Sequence, residues 1–157
     1  MGLADSIANE LVSDLPLRQL IALSADATVG VAVREMRYKR LGCAVVVDAV
    51  GNPLGTFTER TLIDLLLQQS DRLGEILVRD HLSVNWSVVK KSDPLTKMVD
   101  AIQHGRAKFV VVVDDDGRAV ALTGQRGLSE YVAEHYPNQV TVQRVGGRPG
   151  IETREGA

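Results

Sequence analysis

The sequence predicts a mixed α/β (α+β) protein built from one helix–strand–turn–strand–helix unit made twice. Three observations predict it. Shifted by 66 positions, one half lies over the other without a gap: Val45-Val46-Val47-Asp48 falls on Val111-Val112-Val113-Asp114, Gly51 on Gly117, Arg60 on Arg126 and Leu62 on Leu128. Upstream, Val29, Val33 and Met36 fall on Leu95, Val99 and Ile102, so the apolar pattern repeats as well as the identities. Each half also holds a continuous β-prone run followed by an Asp-x-x-Gly turn and a second short run. A period of this length is one supersecondary unit duplicated. Two such units can pack face to face and leave two related clefts.

The elements follow in order. Leu3, Ile7 and Leu11, spaced by four, form the apolar stripe of a short helix that Pro16 should stop near Asp14. Leu17, Leu20, Ile21 and Leu23 make an apolar patch before the small polar run Ser24-Ala25-Asp26-Ala27-Thr28, a loop that ends in a helix N-cap signal. Val29, Ala32, Val33 and Met36 then recur as the stripe of an amphipathic helix, with Gly42 expected to end it. Cys43 to Val47 is too short for a helix between its breakers and reads as a buried strand. Asp48 to Pro53 is a turn with Gly51 suited to positive φ, and Leu54 to Phe57 is the return strand. Thr58 should cap the next helix, and Leu62, Ile63, Leu65, Leu66 and Leu67 suggest that it is buried on more than one side.

The second unit repeats this plan. Val84, Trp86, Val88 and Val89 read as extended chain, and Ser92-Asp93-Pro94 as a helix start. Leu95, Met98, Val99 and Ile102 are the stripe; Phe109 to Val113 is the strand, Asp114 to Gly117 the turn, and Ala119 to Leu122 the return. Leu128, Tyr131 and Val132 mark the last helix. The expected organisation is an N-terminal helix over 1–13, a first unit over 14–73, a second over 74–136 and a polar, poorly structured tail over 137–157.

Composition narrows the function classes. A net charge of -2 and 4% aromatic residues give no pull toward nucleic acid, so no such partner is expected. The apolar runs are too short for a membrane span, and the acidic start does not read as a signal peptide, so a cytoplasmic protein without a membrane partner is expected. The lone Cys43 allows no internal disulfide and fits a reducing compartment. His81, His104 and His135 are not at metal-ligand spacing, and neither a P-loop nor a GxGxxG is present. Nothing pairs a nucleophile with a base, so no catalytic residues, no metal and no enzymatic activity are expected.

Helix, strand, Asp-x-x-Gly turn, strand and a polar cap into a helix, made twice, resembles the cystathionine-β-synthase (CBS) domain pair, from about Asp14 to Val132. The segment PLGTFTERTLIDLL is similar to the family's end-of-unit motif, matched by Gly55, Thr58, Glu59, Arg60, Thr61 and Leu62, and in the second unit by Ala121, Gly124, Gln125, Arg126, Gly127 and Leu128. The resemblance implies β-α-β-β-α units packed through their sheets around a pseudo-two-fold axis, commonly dimerising. It also implies an adenine nucleotide or S-adenosylmethionine in the clefts between units.

The residues this would recruit are Asp26 and Thr28 in the loop before the first helix, Cys43 and Ala44 on the first buried strand, and Gly55, Thr58, Glu59, Arg60 and Thr61 at the end of the first unit. From the second unit come Lys108, Phe109, Thr123, Gly124 and Arg126. The family's ribose-binding aspartate is replaced by Thr61 in one unit and by Gly127 in the other. Loss of such a charge-assisted hydrogen bond removes about 1.5–3 kcal/mol. The expected function is a stand-alone regulatory, ligand-sensing homodimer. It needs no cofactor, takes AMP, ADP, ATP or S-adenosylmethionine as a regulatory ligand, and signals to a protein partner. The alternative is a structural dimerisation or protein-interaction module whose clefts do not bind.

Overall fold

The computed structural model describes residues 5, 7–69, 71–105 and 107–136. The elements run in this order: a 3-10 turn (Val12–Asp14), β1 (Ala22–Ser24), α1 (Val29–Lys39), β2 (Cys43–Val47), β3 (Pro53–Thr58) and α2 (Glu59–Gln69). A second 3-10 turn (Val78–His81) leads to β4 (Trp86–Lys90), α3 (Leu95–Gly105), β5 (Phe109–Val113), β6 (Ala119–Gly124) and α4 (Gln125–His135). Two three-stranded sheets result, β1-β2-β3 and β4-β5-β6. In each, the first pair is parallel and the second antiparallel, and both hairpins carry an irregularity at equivalent places, Val46/Val47 and Val112/Val113.

The central strands are apolar at every position because both of their faces are covered. Ala44 and Val46 point into a core with Val29, Ala32 and Met36 of α1, Phe57 of β3 and Leu65 of α2. Val110 and Val112 do the same with Leu95, Met98, Ala121 and Tyr131. The alternate residues Cys43, Val45, Val111 and Val113 meet one another with Leu122 in a third core, flanked by Leu20, Val47, Trp86 and Phe109. The sheets are therefore packed back to back through this seam.

Each unit is completed by chain that precedes the other unit's helix. Leu11 bridges to Pro94, Val12 N–H donates to the Asp93 carbonyl at 2.9 Å, and Val12 and Leu15 are buried in the second unit's core. Reciprocally, Leu77 bridges to Thr28, Val78 N–H donates to the Ala27 carbonyl at 2.9 Å, and Val78 is buried in the first core. Leu11 and Leu77 are 66 apart, as are Thr28 and Pro94, so the exchange obeys the sequence repeat.

The turns form as their residues require. Gly51 and Gly117 have φ of 94° and 85°. The Asp48 carboxylate accepts from the N–H groups of Asn52 and Val50, which holds it below the usual carboxylate range. In the second turn the Asp114 carboxylate accepts from the N–H groups of Asp116 and Arg118. Thr28 caps α1 by accepting from Val31 N–H at 3.3 Å.

Three local expectations change. The helix α1 ends at Arg40, itself in the left-handed region (φ 54°), rather than at Gly42. Within the described residues Ile7 is helical and buried in the second unit's core, as expected, but Leu11 is extended, not helical, because it leaves to pair with Pro94; Leu3, and the tail over 137–157, lie outside them. Finally, α2 is not buried on several sides: Leu65 is in the core, but Ile63, Leu66 and Leu67 are 57%, 43% and 82% exposed. One face of α2 suffices to close the first core, and the other face is exposed among the described residues.

Gly124 shows how tightly the second hairpin is drawn. A Cβ placed there would overlap the Lys108 carbonyl oxygen, a backbone atom that cannot rotate away. Gly124→Ala is expected to destabilise the fold by about 1–3 kcal/mol in urea unfolding, by forcing β5 and β6 apart.

Candidate functional site

A cavity of about 610 Å3 opens at the N-terminal end of α4. Its floor comes from the second unit: Lys108 and Phe109 at the start of β5, Leu122, Thr123 and Gly124 at the end of β6, and Gln125, Arg126, Gly127 and Ser129 of α4. Arg18, in the exchanged segment, forms another wall and is held to β6 by paired backbone hydrogen bonds with Leu122, at 3.1 and 3.3 Å. Arg40, Leu41, Gly42 and Glu59 reach in from the first unit. The lining thus joins both units and places four cationic side chains around one carboxylate.

The local sequence makes the hollow. Gly124 and Gly127 carry no side chain where the chain turns from β6 into α4, and no side chain caps that helix. A Cβ at Gly127 would lie 2.8 Å from the Thr123 hydroxyl oxygen, so glycine is what leaves room for that hydroxyl. Thr123 is 5% exposed and its Oγ1 has no hydrogen-bond partner. A buried hydroxyl left unpaired costs about 1–3 kcal/mol. It stands beside the unpaired backbone N–H groups and positive dipole end of an eleven-residue helix, a place suited to an anion. Arg126 in the first turn is against that dipole and adds to the positive potential. Lys108 lies 5.6 Å from the centre of the Phe109 ring.

The predicted site residues divide into two groups. Glu59, Lys108, Phe109, Thr123, Gly124 and Arg126 come together at this cavity. Asp26, Thr28, Cys43, Ala44, Gly55, Thr58, Arg60 and Thr61 do not line it. Asp26 pairs with Arg79 at 2.8 Å, and Thr28 is occupied as a cap. Cys43 and Ala44 are fully buried in the cores, and Gly55 sits beneath Leu82. Burial pushes the Cys43 thiol up to about 12, against the smaller opposing pull of the Thr56 hydroxyl, so it stays a neutral core group. The Thr58 hydroxyl accepts from Thr61 N–H at 3.4 Å and lies 3.3 Å from the Thr61 hydroxyl, which makes it the cap that its position implied.

The two clefts therefore differ within one repeat. Phe57 occupies the place of Thr123, Thr58 that of Gly124, and Thr61 that of Gly127. Larger groups stand in the first unit where the second leaves space. Sequence reasoning missed Arg18, Arg40, Leu41, Gly42, Leu122 and Ser129. Arg18 could be found only by knowing that its segment crosses to the other unit. Gly42 carries a signal, since the repeat sets it opposite Lys108. Among the described residues no cluster of three or more His, Cys, Asp or Glu is arranged to hold a metal, and no helix is long and apolar enough to cross a membrane.

A back-to-back pair of exchanged β-α-β-β-α units with a cleft at the start of α4 defines a fold. Residues 12–68 match the CBS domain family, and the fold of the chain is that of solved CBS-domain structures. An uncharacterized protein of Methanopyrus kandleri is 24% identical over 117 residues, 74% of this chain; the chain spans about 60% of that relative's length. Among solved structures, a CBS domain protein from Pyrobaculum aerophilum complexed with AMP matches with a TM-score of 0.67 and 23% identity, over 76% of this chain and 90% of its own. A CBS domain pair in complex with 5'-methylthioadenosine and S-adenosyl-L-methionine matches with a TM-score of 0.68 and 18% identity, over 80% of this chain and 97% of its own.

The Thr123 hydroxyl offers a direct check on whether the site sacrifices stability. Thr123→Val, which replaces the buried hydroxyl by a methyl group, is expected to raise stability by about 1 kcal/mol in thermal or urea unfolding. A loss of stability instead would mean that the hydroxyl is satisfied.

Proposed function

We propose that this chain is a regulatory module that senses a phosphate-bearing adenosyl ligand in the cavity at the start of α4. The observation that carries the reading is the unpartnered Thr123 hydroxyl, sealed against the N-terminus of α4 and ringed by Arg18, Arg40, Lys108 and Arg126. A phosphate there satisfies the hydroxyl, the helix N–H groups and the charges at once. Phe109, Leu41 and Leu122 supply apolar surface for a base, and Glu59 is the carboxylate available to sugar hydroxyls. The charge balance favours AMP, ADP or ATP over the cationic S-adenosylmethionine. Binding of AMP, or of methylthioadenosine and S-adenosylmethionine, by the similar structures supports the ligand class.

The signal is a change of geometry between units. The lining draws on both units and on the exchanged segment, so a ligand that fits one arrangement of these walls better shifts the population toward it. A protein partner then reads the arrangement. A thermal-shift series with AMP, ADP, ATP and S-adenosylmethionine tests this. A ligand at a hundred times its Kd adds about 2.7 kcal/mol, or about 5–10 °C for a chain of this size. Arg126→Gln should weaken that ligand about tenfold. Indifference of the wild-type protein to all four ligands would remove the proposal.

A second reading, a dimerisation module, is favoured by the face of α2. Ile63, Leu66 and Leu67 lie at i, i+3 and i+4 and stand in solvent. A second copy of this chain is the proposed cover, through helix-on-helix packing. Leu67→Glu should shift a dimer to monomer in light scattering at micromolar concentration while leaving the far-ultraviolet spectrum unchanged. The two readings are compatible, and only a monomeric wild-type protein removes this one.

A further inference from the structure

Arg18 and Arg126 arrive at the cavity from distant parts of the chain, yet they share one counter-charge. The same oxygen, Oε1 of Glu130, lies 3.5 Å from Arg18 Nη2 and 3.2 Å from Arg126 Nε. Both arginines line the cavity, whereas Glu130 is not among its lining residues and sits behind them, one helical turn along α4. We propose that Glu130 is a built-in competitor for the anion site: it holds the two arginines at the rim, and an anionic ligand group takes them from it. This rests on the reading of the cavity as a ligand site.

Several features point to exchange rather than to a fixed structural bridge. The side chains of Arg18, Glu130 and Arg126 are 39%, 44% and 79% exposed, so the pairs are solvated and weakly held. The Arg126–Glu130 pair runs in the less favourable direction along a helix, with the cation nearer the positive end. The first turn of α4 has no acidic residue and no side-chain cap, so Glu130 is the carboxylate that offsets the positive charge there. Arg18 is anchored through its backbone to Leu122, which leaves its side chain able to swing. A phosphate offers both guanidinium groups more negative charge and sits closer to the helix N–H groups and Thr123 than Glu130 does. The ligand's apparent affinity is then set partly by a carboxylate that it never touches.

Glu130→Gln removes the competing charge while keeping the shape of the side chain. Glu134→Gln, on the same helix and exposed without an ion pair among the described residues, removes the same net charge elsewhere. Titration calorimetry at low salt, with ATP and separately with inorganic pyrophosphate, compares these with the wild type. Glu130→Gln is expected to bind about three- to tenfold more tightly, with Glu134→Gln unchanged. Equal or weaker binding by Glu130→Gln, with the wild type binding normally, overturns the competitor role and leaves the ligand site standing. Equal tightening by both variants also overturns it, since it reports net charge alone. If neither the wild type nor Glu130→Gln binds either probe, the site and its competitor are rejected together.

Discussion

Everything in this fold depends on the contact between the backs of the two central strands. Cys43, Val45, Val111 and Val113 face one another with Leu122 and have almost no solvent contact. A single unit separated from its twin would expose this row, and each buried valine contributes about 1.5–3 kcal/mol by leaving water. The exchanged segments add a second tie. Val12 completes the core of the second unit and Val78 that of the first, so neither core closes without chain from beyond its own helices. A unit of about 60 residues is marginal by surface-to-volume scaling alone. The seam and the exchange make one cooperative body of two marginal halves.

That body is symmetric where it is packed and asymmetric where it is open. The bulges and the Leu11–Pro94 and Thr28–Leu77 bridges obey the sequence repeat. The residues at the starts of α2 and α4 do not. Phe57 is buried in the first core, while its counterpart Thr123 lines the cavity and holds a buried, unpartnered hydroxyl. Thr58 and Thr61 engage each other, while Gly124 and Gly127 leave the same places open. A duplicated scaffold permits this, because one cleft can be filled for stability while the other keeps groups that are costly to bury.

The sequence displayed the architecture more plainly than the site. Strand runs such as Val45-Val46-Val47, the glycines at 51 and 117, and the caps Thr28 and Thr58 act over a few residues, so local patterns reveal them. The exchange of Leu11 to Arg18 and of Leu77 to Ser83 is long-range pairing of short irregular chain, which no local period encodes. That is why Arg18 escaped notice. The exposed face of α2 misled for a different reason: apolar side chains on every side imply cover, and among the described residues Ile63, Leu66 and Leu67 stand exposed. The relative openness of the clefts was also hidden. Replacement of the family's aspartate by Gly127 reads in sequence as a lost contact, whereas in three dimensions it makes room for the Thr123 hydroxyl.

Arg40 shows how the first unit is committed to the second unit's cavity. It ends α1 in the left-handed region, at φ 54° and ψ 43°, where glycine is the usual residue. The next N–H, that of Leu41, donates to the Met36 carbonyl at 3.0 Å and so closes the helix. A residue with a Cβ costs about 1 kcal/mol more than glycine in this conformation. Glycine stands two residues later, at position 42, so the sequence places the cost on an arginine that reaches the cavity. Strain of this kind persists where the surrounding structure over-determines it. Here the left-handed turn carries the chain from α1 into β2 and sets Arg40, Leu41 and Gly42 opposite Lys108 and Arg126. Any shift of the first unit against the second must therefore move Arg40 relative to α4, which gives the cavity a mechanical connection to the seam as well as an electrostatic one.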